Sequence, residues 1–489
     1  MPSNDTCFLT ATEQRALLAS RRVSSVELLE QHLAQVKRVN PSCNAIVALD
    51  EEGARQKARA ADEMLARGER TGPLHGLSMT IKDSFAVTGM TVTCGLEELR
   101  DYRPQEDAVA VAKIRAAGAV IFGKTNLPAG AADHQSCNTL FGLTRNPWDL
   151  ERTVGGSSGG SAAALAAGLT PLELGSDIGG SIRVPAHFCG VYGHKSSYGL
   201  ISTEGHIPPA PGHIAPKELG VAGPLARSAT DLELLFDVLL GTSDLEAAGA
   251  ELRLPEARHD DLSSFRVAVW NDAEAYPLDQ SYAAAIDGLV DDITRLGVKV
   301  NRAARPPIDP AASYDVYLQT LFGIIGAGLP PPAREALIAA GERAESGSYP
   351  RRVVDAVRQS LPQYFAATEA RHQLYRAWRS FFADYDVLVC PITPTVAFPH
   401  DVECLDLGAQ FTRRLAVNGS TIPYMDNLAW PGLVTVANLP ATAIPTGRIV
   451  DSVPAGVQLV GPYLGDRTTL RFAQLVERAL GGFARPPGF

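Results

Sequence analysis

The stretch from Thr153 to Gly190, TVGGSSGGSAAALAAGLTPLELGSDIGGSIRVPAHFCG, leaves the chain few ways to fold. It holds two Gly/Ser clusters, Gly155 to Ser161 and Asp177 to Ser181. Between them lie Ala162 to Ala167, a run of high helix propensity, and Pro171 to Leu174, an apolar run that reads as a buried strand. Glycine lets a backbone bend sharply and approach a ligand closely. Successive free N–H groups in such a turn can face a developing negative charge. Serine hydroxyls in the same turns can attack or carry a proton. A flexible linker has a similar composition. A linker, however, is not embedded in core-like sequence, and apolar runs flank both clusters.

The surrounding chain alternates strands and helices. Thr10 to Glu13 and Ser24 to Glu27 are capping boxes. After the second, Leu28, Leu29, Leu33 and Val36 recur at helical spacing, and Asn40-Pro41 is expected to end that helix. Ala45 to Leu49 reads as a strand and Glu51 to Arg67 as a surface helix. Leu77 to Lys82 alternates only partly, as a strand buried on both faces does. A helix over Ala108 to Ala117 stops at Gly118, and Ala119 to Phe122 follows as a strand. Asn146 to Asp149 reads as a turn, and Pro147 to Arg152 lacks strand character. Further on, Phe265 to Trp270 and Val298 to Val300 read as strands. They flank a helix capped by Asp279 that carries Ile286, Val290 and Ile293. Tyr314 to Leu329 reads as a core helix in preference to a pocket wall, Phe382 to Cys390 returns to the sheet pattern, and Asp466 to Leu480 is the last helix. This rhythm predicts an α/β fold with central parallel strands.

At 489 residues, length alone would suggest two or three domains. The stretches that could be linkers, Gly241 to Ala257 and Ala303 to Pro310, are short and partly apolar, which favours one domain. A net charge of -10 argues against nucleic acid as the primary partner. Seven scattered cysteines without a C-x-x-C pair suggest free thiols rather than a disulfide framework, and none has zinc-ligand spacing. No signal-peptide pattern opens the chain, and no stretch reaches the roughly 18 apolar residues of a membrane span. A cytoplasmic protein is expected.

The clusters GGSSGGS and DIGGSIR, followed by P-A-H-F-C-G, resemble the signature of the amidase signature family, serine hydrolases that cut amide bonds. Ser181 lies 24 residues after Ser157, and Lys82, in a Lys82-Asp83 pair, lies 75 before it; both spacings match the family. The resemblance implies one domain over 1–489, with a large mixed, mostly parallel central sheet covered by helices on both faces. Residues 1–70 would form an N-terminal helical part, 71–240 the catalytic core, and 305–380 a variable helical insertion lining the substrate pocket. It implies Ser181 as nucleophile, Lys82 as base and Ser157 as proton relay, with a cis peptide bond at Gly156–Ser157. A strand-end lysine usually reaches for water; a base here must instead be buried, so that its pKa falls toward neutrality. The backbone N–H groups of Ile178, Gly179, Gly180 and Ser181 are the expected oxyanion donors. Ser158 is expected to hydrogen-bond nearby and tune the relay, and Asp177 and Arg183 to hold the loop as a structural ion pair or through hydrogen bonds. Tyr314, Phe322, Met425 and Trp430 are candidate pocket walls for an apolar or aromatic acyl group. No metal or organic cofactor is required, the partner is a small amide, and a homodimer is compatible with the family.

Three other readings use the same residues. Gly155 to Gly159 also fits G-x-S-x-G, the nucleophile elbow of α/β-hydrolases, with Ser157 as nucleophile and a histidine among His187, His194, His206 and His213. The elbow requires a strand directly before it. A glutaminase-like subunit of a tRNA amidotransferase shares the signature, although Gly193-His194-Lys195-Ser196-Ser197 replaces that branch's common G-L-K-P-T. A non-catalytic relative is disfavoured because Lys82, Ser157 and Ser181 are all present.

Overall fold

A computed structural model describes residues 6–69, 71–241, 252–401 and 409–489. Most of the Gly241 to Ala257 stretch, and Cys404, lie outside the described residues. Cys7, Cys43, Cys94, Cys189 and Cys390 are buried free thiols.

Both capping boxes form, at the starts of α1 (Ala11–Ala19) and α2 (Ser25–Cys43). Helix α2 runs past Asn40-Pro41 to Cys43, contrary to expectation. Proline removes the hydrogen bond its N–H would make to the carbonyl four residues back and crowds that carbonyl, usually kinking or ending a helix. Pro41 lies in the last turn, and only Ser42 and Cys43 follow it before Asn44 closes the helix in a left-handed conformation. Strand β1 (Ile46–Leu49) and helix α3 (Glu51–Ala66) lead to β2 (Ser78–Lys82), in which every residue is buried. Helix α4 (Val109–Ala116) crosses to β3 (Val120–Thr125), and the alanine-rich α5 (Gly159–Ala166) crosses to β4 (Leu172–Asp177). Alanine suits α5 because it is enclosed on every side, with all eight residues buried.

Helix α6 (Arg183–Cys189) follows, then β5 (Tyr192–Lys195), β6 (Val221–Ala226), α7 (Ala229–Leu239), β7 (Arg266–Val269), α8 (Gln280–Arg295) and β8 (Lys299–Asn301). Four helices come next: α9 (Pro310–Gly328), α10 (Pro331–Glu342), α11 (Tyr349–Val357) and α12 (Leu361–Asp384). Strand β9 (Val387–Cys390) starts later than the expected Phe382, because α12 continues through Asp384. Helix α13 (Ala429–Thr435), strands β10 (Ala441–Val450) and β11 (Val453–Val460), and α14 (Asp466–Leu480) complete the order.

The eleven strands form one mixed sheet in the order β1-β3-β2-β4-β6-β5-β10-β11-β9-β7-β8. The sheet and its helices match the expected fold class, with a smaller parallel share than "mostly parallel" implies. The pairs β2/β3, β2/β4, β7/β9 and β7/β8 are parallel, and the other six are antiparallel. Parallel neighbours need a crossover between them, whereas antiparallel ones can be joined tightly. Strands β10 and β11, for example, are joined by Asp451 and Ser452, both at positive φ as a two-residue hairpin turn requires. A second apolar core lies beneath α9 to α12, around Trp270, Tyr317, Trp378 and Trp430. Among the described residues no helix is long and apolar enough to cross a membrane.

Candidate active site

Lys82 ends β2, which lies between β3 and β4. Its register, with Ile81 opposite Leu174, brings the lysine to the Gly175–Ser176 end of β4. The side chain does not reach water; it is fully buried. Its Nζ lies 2.7 Å from Ser157 Oγ and 3.0 Å from Ser176 Oγ. Among the described residues no carboxylate forms an ion pair with it. Burial therefore pulls its pKa down to about 7, against the weaker opposing influence of Cys94, Asp177 and Glu173. Asp83, its sequence neighbour, turns away to Lys124 at 3.1 Å and to the Thr93 hydroxyl at 2.6 Å.

The Gly156–Ser157 peptide bond is cis. Glycine is required at 156, because a Cβ there would meet the Asp133 carbonyl oxygen at 2.2 Å. Ser158 begins α5, and its N–H donates to the Ser181 carbonyl at 3.0 Å, joining the two Gly/Ser turns. Its hydroxyl reaches the Ser176 carbonyl at 3.4 Å. Lys82 is fully buried, and Ser157 and Ser181 nearly so, at 1% and 6% exposed.

The turn from Asp177 to Arg183 is held from within by an ion pair. Arg183 grips Asp177 with two hydrogen bonds, Nη2 to Oδ1 at 2.9 Å and Nε to Oδ2 at 3.0 Å. The guanidinium also donates to Gln458, Thr435 and the Pro431 carbonyl. Burial pushes the Asp177 carboxyl up, but the Arg183 charge and hydrogen bonds outweigh it and hold the group well below the usual carboxylate range. Arg183→Met is expected to lower unfolding stability by about 3–5 kcal/mol in denaturant titration, because it strands a buried charge.

The same carboxylate corrects one expected oxyanion donor. Gly180 N–H donates to Asp177 Oδ1 at 2.9 Å and is already engaged. The N–H groups of Ile178, Gly179 and Ser181 make no hydrogen bond among the described residues. Two side chains missed in the sequence hold this loop from outside: Tyr317 OH donates to the Ile178 carbonyl at 3.0 Å, and His134 Nε2 lies 2.9 Å from the Gly179 carbonyl. In a trans peptide the N–H points opposite the C=O, so the Tyr317 contact turns the Gly179 N–H away from α9. Nothing in the sequence marked Tyr317 or His134. Ser176 was legible in principle, since it lies one residue before Asp177 on the strand beside Lys82.

The candidate pocket walls separate. Tyr314 OH donates to the Met425 carbonyl at 2.9 Å, and Phe322 packs edge-on against Phe411. Trp430 is fully buried against Trp270 and Tyr276, so it belongs to the core rather than a wall. Helix α9 is likewise core along Tyr314, Tyr317, Leu318 and Leu321. Leu428 and Pro431 approach the loop more closely: a Cβ on Gly179 would meet Leu428 at 2.9 Å, and one on Gly180 would meet Pro431 at 2.9 Å.

Contrary to expectation, Asp149–Thr153 is a short strand before the first cluster, but it pairs with Arg145–Asn146 in a two-stranded ribbon outside the main sheet. The elbow also needs a histidine on Ser157. His187 receives the Gly456 N–H, His194 contacts Thr442 and Asp466, His206 contacts Ser176, and His213 is exposed. None of them hydrogen-bonds Ser157 among the described residues. Among those residues, no group of three or more His, Cys, Asp or Glu could hold a metal ion.

The family model described as Amidase matches residues 27–470. A glutamyl-tRNA(Gln) amidotransferase subunit from Roseiflexus sp. (strain RS-1) is 32% identical over 509 residues, covering 98% of both chains. Its counterpart of the same name from Geobacillus thermodenitrificans (strain NG80-2) is 33% identical, covering 96% of this chain and 97% of its own. Among solved structures, one described as a vestigial protein complex revealing the origins of an s-triazine catabolic enzyme superposes with a TM-score of 0.80. It is 30% identical and covers 98% of this chain and 100% of its own. The 6-aminohexanoate cyclic dimer hydrolase superposes at 0.78 with 28% identity, covering 98% and 99%.

Proposed function

The chain belongs to the amidase signature family, and from that premise we propose that it cleaves a carboxamide through an acyl-enzyme on Ser181. The observation that carries the reading is the buried Lys82, in no ion pair among the described residues, with its Nζ 2.7 Å from Ser157 Oγ. A lysine whose pKa is near 7 spends much of its time as a free amine at neutral pH, which is what a base requires. Ser181 Oγ attacks the carbonyl carbon, its proton passes to Ser157, and the Ser157 proton passes to Lys82. The oxyanion forms against the N–H groups of Ile178, Gly179 and Ser181. The C–N bond then breaks as the proton returns along the relay to the departing nitrogen. Water repeats the sequence on the ester, releasing the acid and regenerating Ser181. The reading takes 1–489 as one domain, with the helices between 305 and 380 on the substrate side.

Two versions share this chemistry and differ in the amide. In the first the chain is a free-standing hydrolase of small amides, with esters and carbamates as further substrates. In the second the amide is the glutamine side chain, and the ammonia is handed on within a complex that includes protein partners and tRNA. The names of the curated relatives favour the second; a hydrolase among the structural neighbours supports the first. Assaying the purified chain alone on glutamine and on aliphatic and aryl amides separates them. Turnover of simple amides without partners supports the free-standing hydrolase. Silence alone, with glutaminase activity appearing on addition of amidotransferase partner proteins, supports the second version. No amide cleavage under either condition overturns both.

A further inference from the structure

Lys82 has a second hydroxyl neighbour, and that hydroxyl leads outward. Ser176 Oγ lies 3.0 Å from Lys82 Nζ and 2.8 Å from His206 Nε2. The other ring nitrogen, His206 Nδ1, contacts Lys217 Nζ, which also contacts the carbonyls of His206, at 2.8 Å, and Pro208. Burial lowers the Lys217 pKa to about 7; below that pH it is an ammonium, with three N–H donors and no acceptor, facing two carbonyls and the ring nitrogen. An ammonium there makes His206 Nδ1 the acceptor, although Nδ1 also lies 3.4 Å from the Pro208 carbonyl. In a neutral imidazole the proton must then sit on Nε2, which donates to Ser176 Oγ. The imidazole is held neutral: burial, then the charges of Lys217, Lys82 and Lys124, push its pKa well below the usual histidine range.

The consequence falls on Lys82. With one lone pair taken by His206, Ser176 Oγ is a poorer acceptor for an ammonium at position 82. Its own proton remains able to turn toward a free amine there. Below about pH 7, where Lys217 is charged, that charge opposes a second positive charge nearby. All three effects favour the uncharged form of Lys82. The other ionisable groups facing the chain of contacts are Cys94, Asp177 and Glu173 around Lys82, and Cys94 near Lys217. Asp83, next to Lys82 in sequence, is paired with Lys124.

We propose that His206 and Lys217 are positioning residues that act through Ser176 to hold the Lys82 amine in its uncharged, proton-accepting form. The proposal rests on the reading of Lys82 as the base. Its test uses the full chain and a fluorophosphonate, which forms an O–P bond at Ser181 while fluoride leaves and the serine proton moves to the base. The labelling rate is measured from pH 5 to pH 9, with mass spectrometry to locate the label. Lys217→Met and His206→Phe are expected to move the acid limb to higher pH by about 0.5–1 unit, a loss of about three- to tenfold at pH 6 relative to each variant's own plateau. Lys217→Arg keeps the positive charge and should hold the limb near its wild-type position.

A limb that stays in place in both Lys217→Met and His206→Phe overturns the proposal, even if both label more slowly at every pH. So does a limb in Lys217→Arg that moves as far as in Lys217→Met. If His206→Phe does not fold, the Lys217 pair decides. The Lys82→Met variant keeps the two questions apart: rapid labelling without Lys82 removes the base itself, whereas slow labelling together with unmoved limbs removes only the roles of His206 and Lys217.

Discussion

Replacing Ser181 with alanine is expected to lower amide cleavage by at least about 10⁴-fold, because the group that forms the acyl bond is gone. Stability should change little, since the Ser181 contact that joins the two turns is made by its backbone carbonyl, which alanine keeps. Ser157→Ala tests the same arrangement from the other side. A relay is worth less than a nucleophile, so the loss should be about 10²–10⁴-fold, and fluorophosphonate should still label Ser181 slowly. The elbow reading predicts the reverse, with Ser157 carrying the label. Steady-state kinetics and peptide mapping of the two variants decide between them. A label on Ser157 would remove Ser181 from the chemistry.

Lys82→Met should cost about 10⁴-fold in kcat/KM, and it should also change the shape of the pH profile. The lysine pKa is lowered to about 7 in the fold. Below that pH the ammonium predominates and cannot accept a proton, so the wild-type rate should fall tenfold per pH unit; above it the rate should level off. In the methionine variant no group titrates in this role, so the acid limb should disappear with the activity. Methionine fills similar space without a charge to desolvate, so the folded state should persist. A Lys82→Met protein with near-wild-type turnover would overturn the assigned base. A wild-type limb that lies near the ordinary lysine range would show that position 82 is wet.

The legible parts of this protein are those written in local chemistry. The capping boxes at Thr10 and Ser24 formed, because a cap is a contact between residues three apart. The alanine run between the clusters formed α5, and the run ending at Lys82 formed a fully buried strand. Local signals misled where the neighbourhood could reverse them. Pro41 did not stop α2, because the helix was one turn from its end. The residues before Val154 formed a strand because a partner, Arg145–Asn146, lay beside them.

The glycines, serines and lysine of the signature could be picked out along the chain because their types and intervals are covalent facts, independent of how the chain is arranged in space. Whether Lys82 is a base could not be, since its pKa depends on burial and on the absence, among the described residues, of a carboxylate paired with its Nζ. That absence is created by strands and turns far away in sequence. The loss of Gly180 as an oxyanion donor, the grip of Tyr317 on Ile178, and the chain of contacts from Ser176 through His206 to Lys217 have the same origin. Each depends on the direction of a hydrogen bond between segments that only the packed sheet and its helices bring together, and direction is a property that a linear order of residues does not carry.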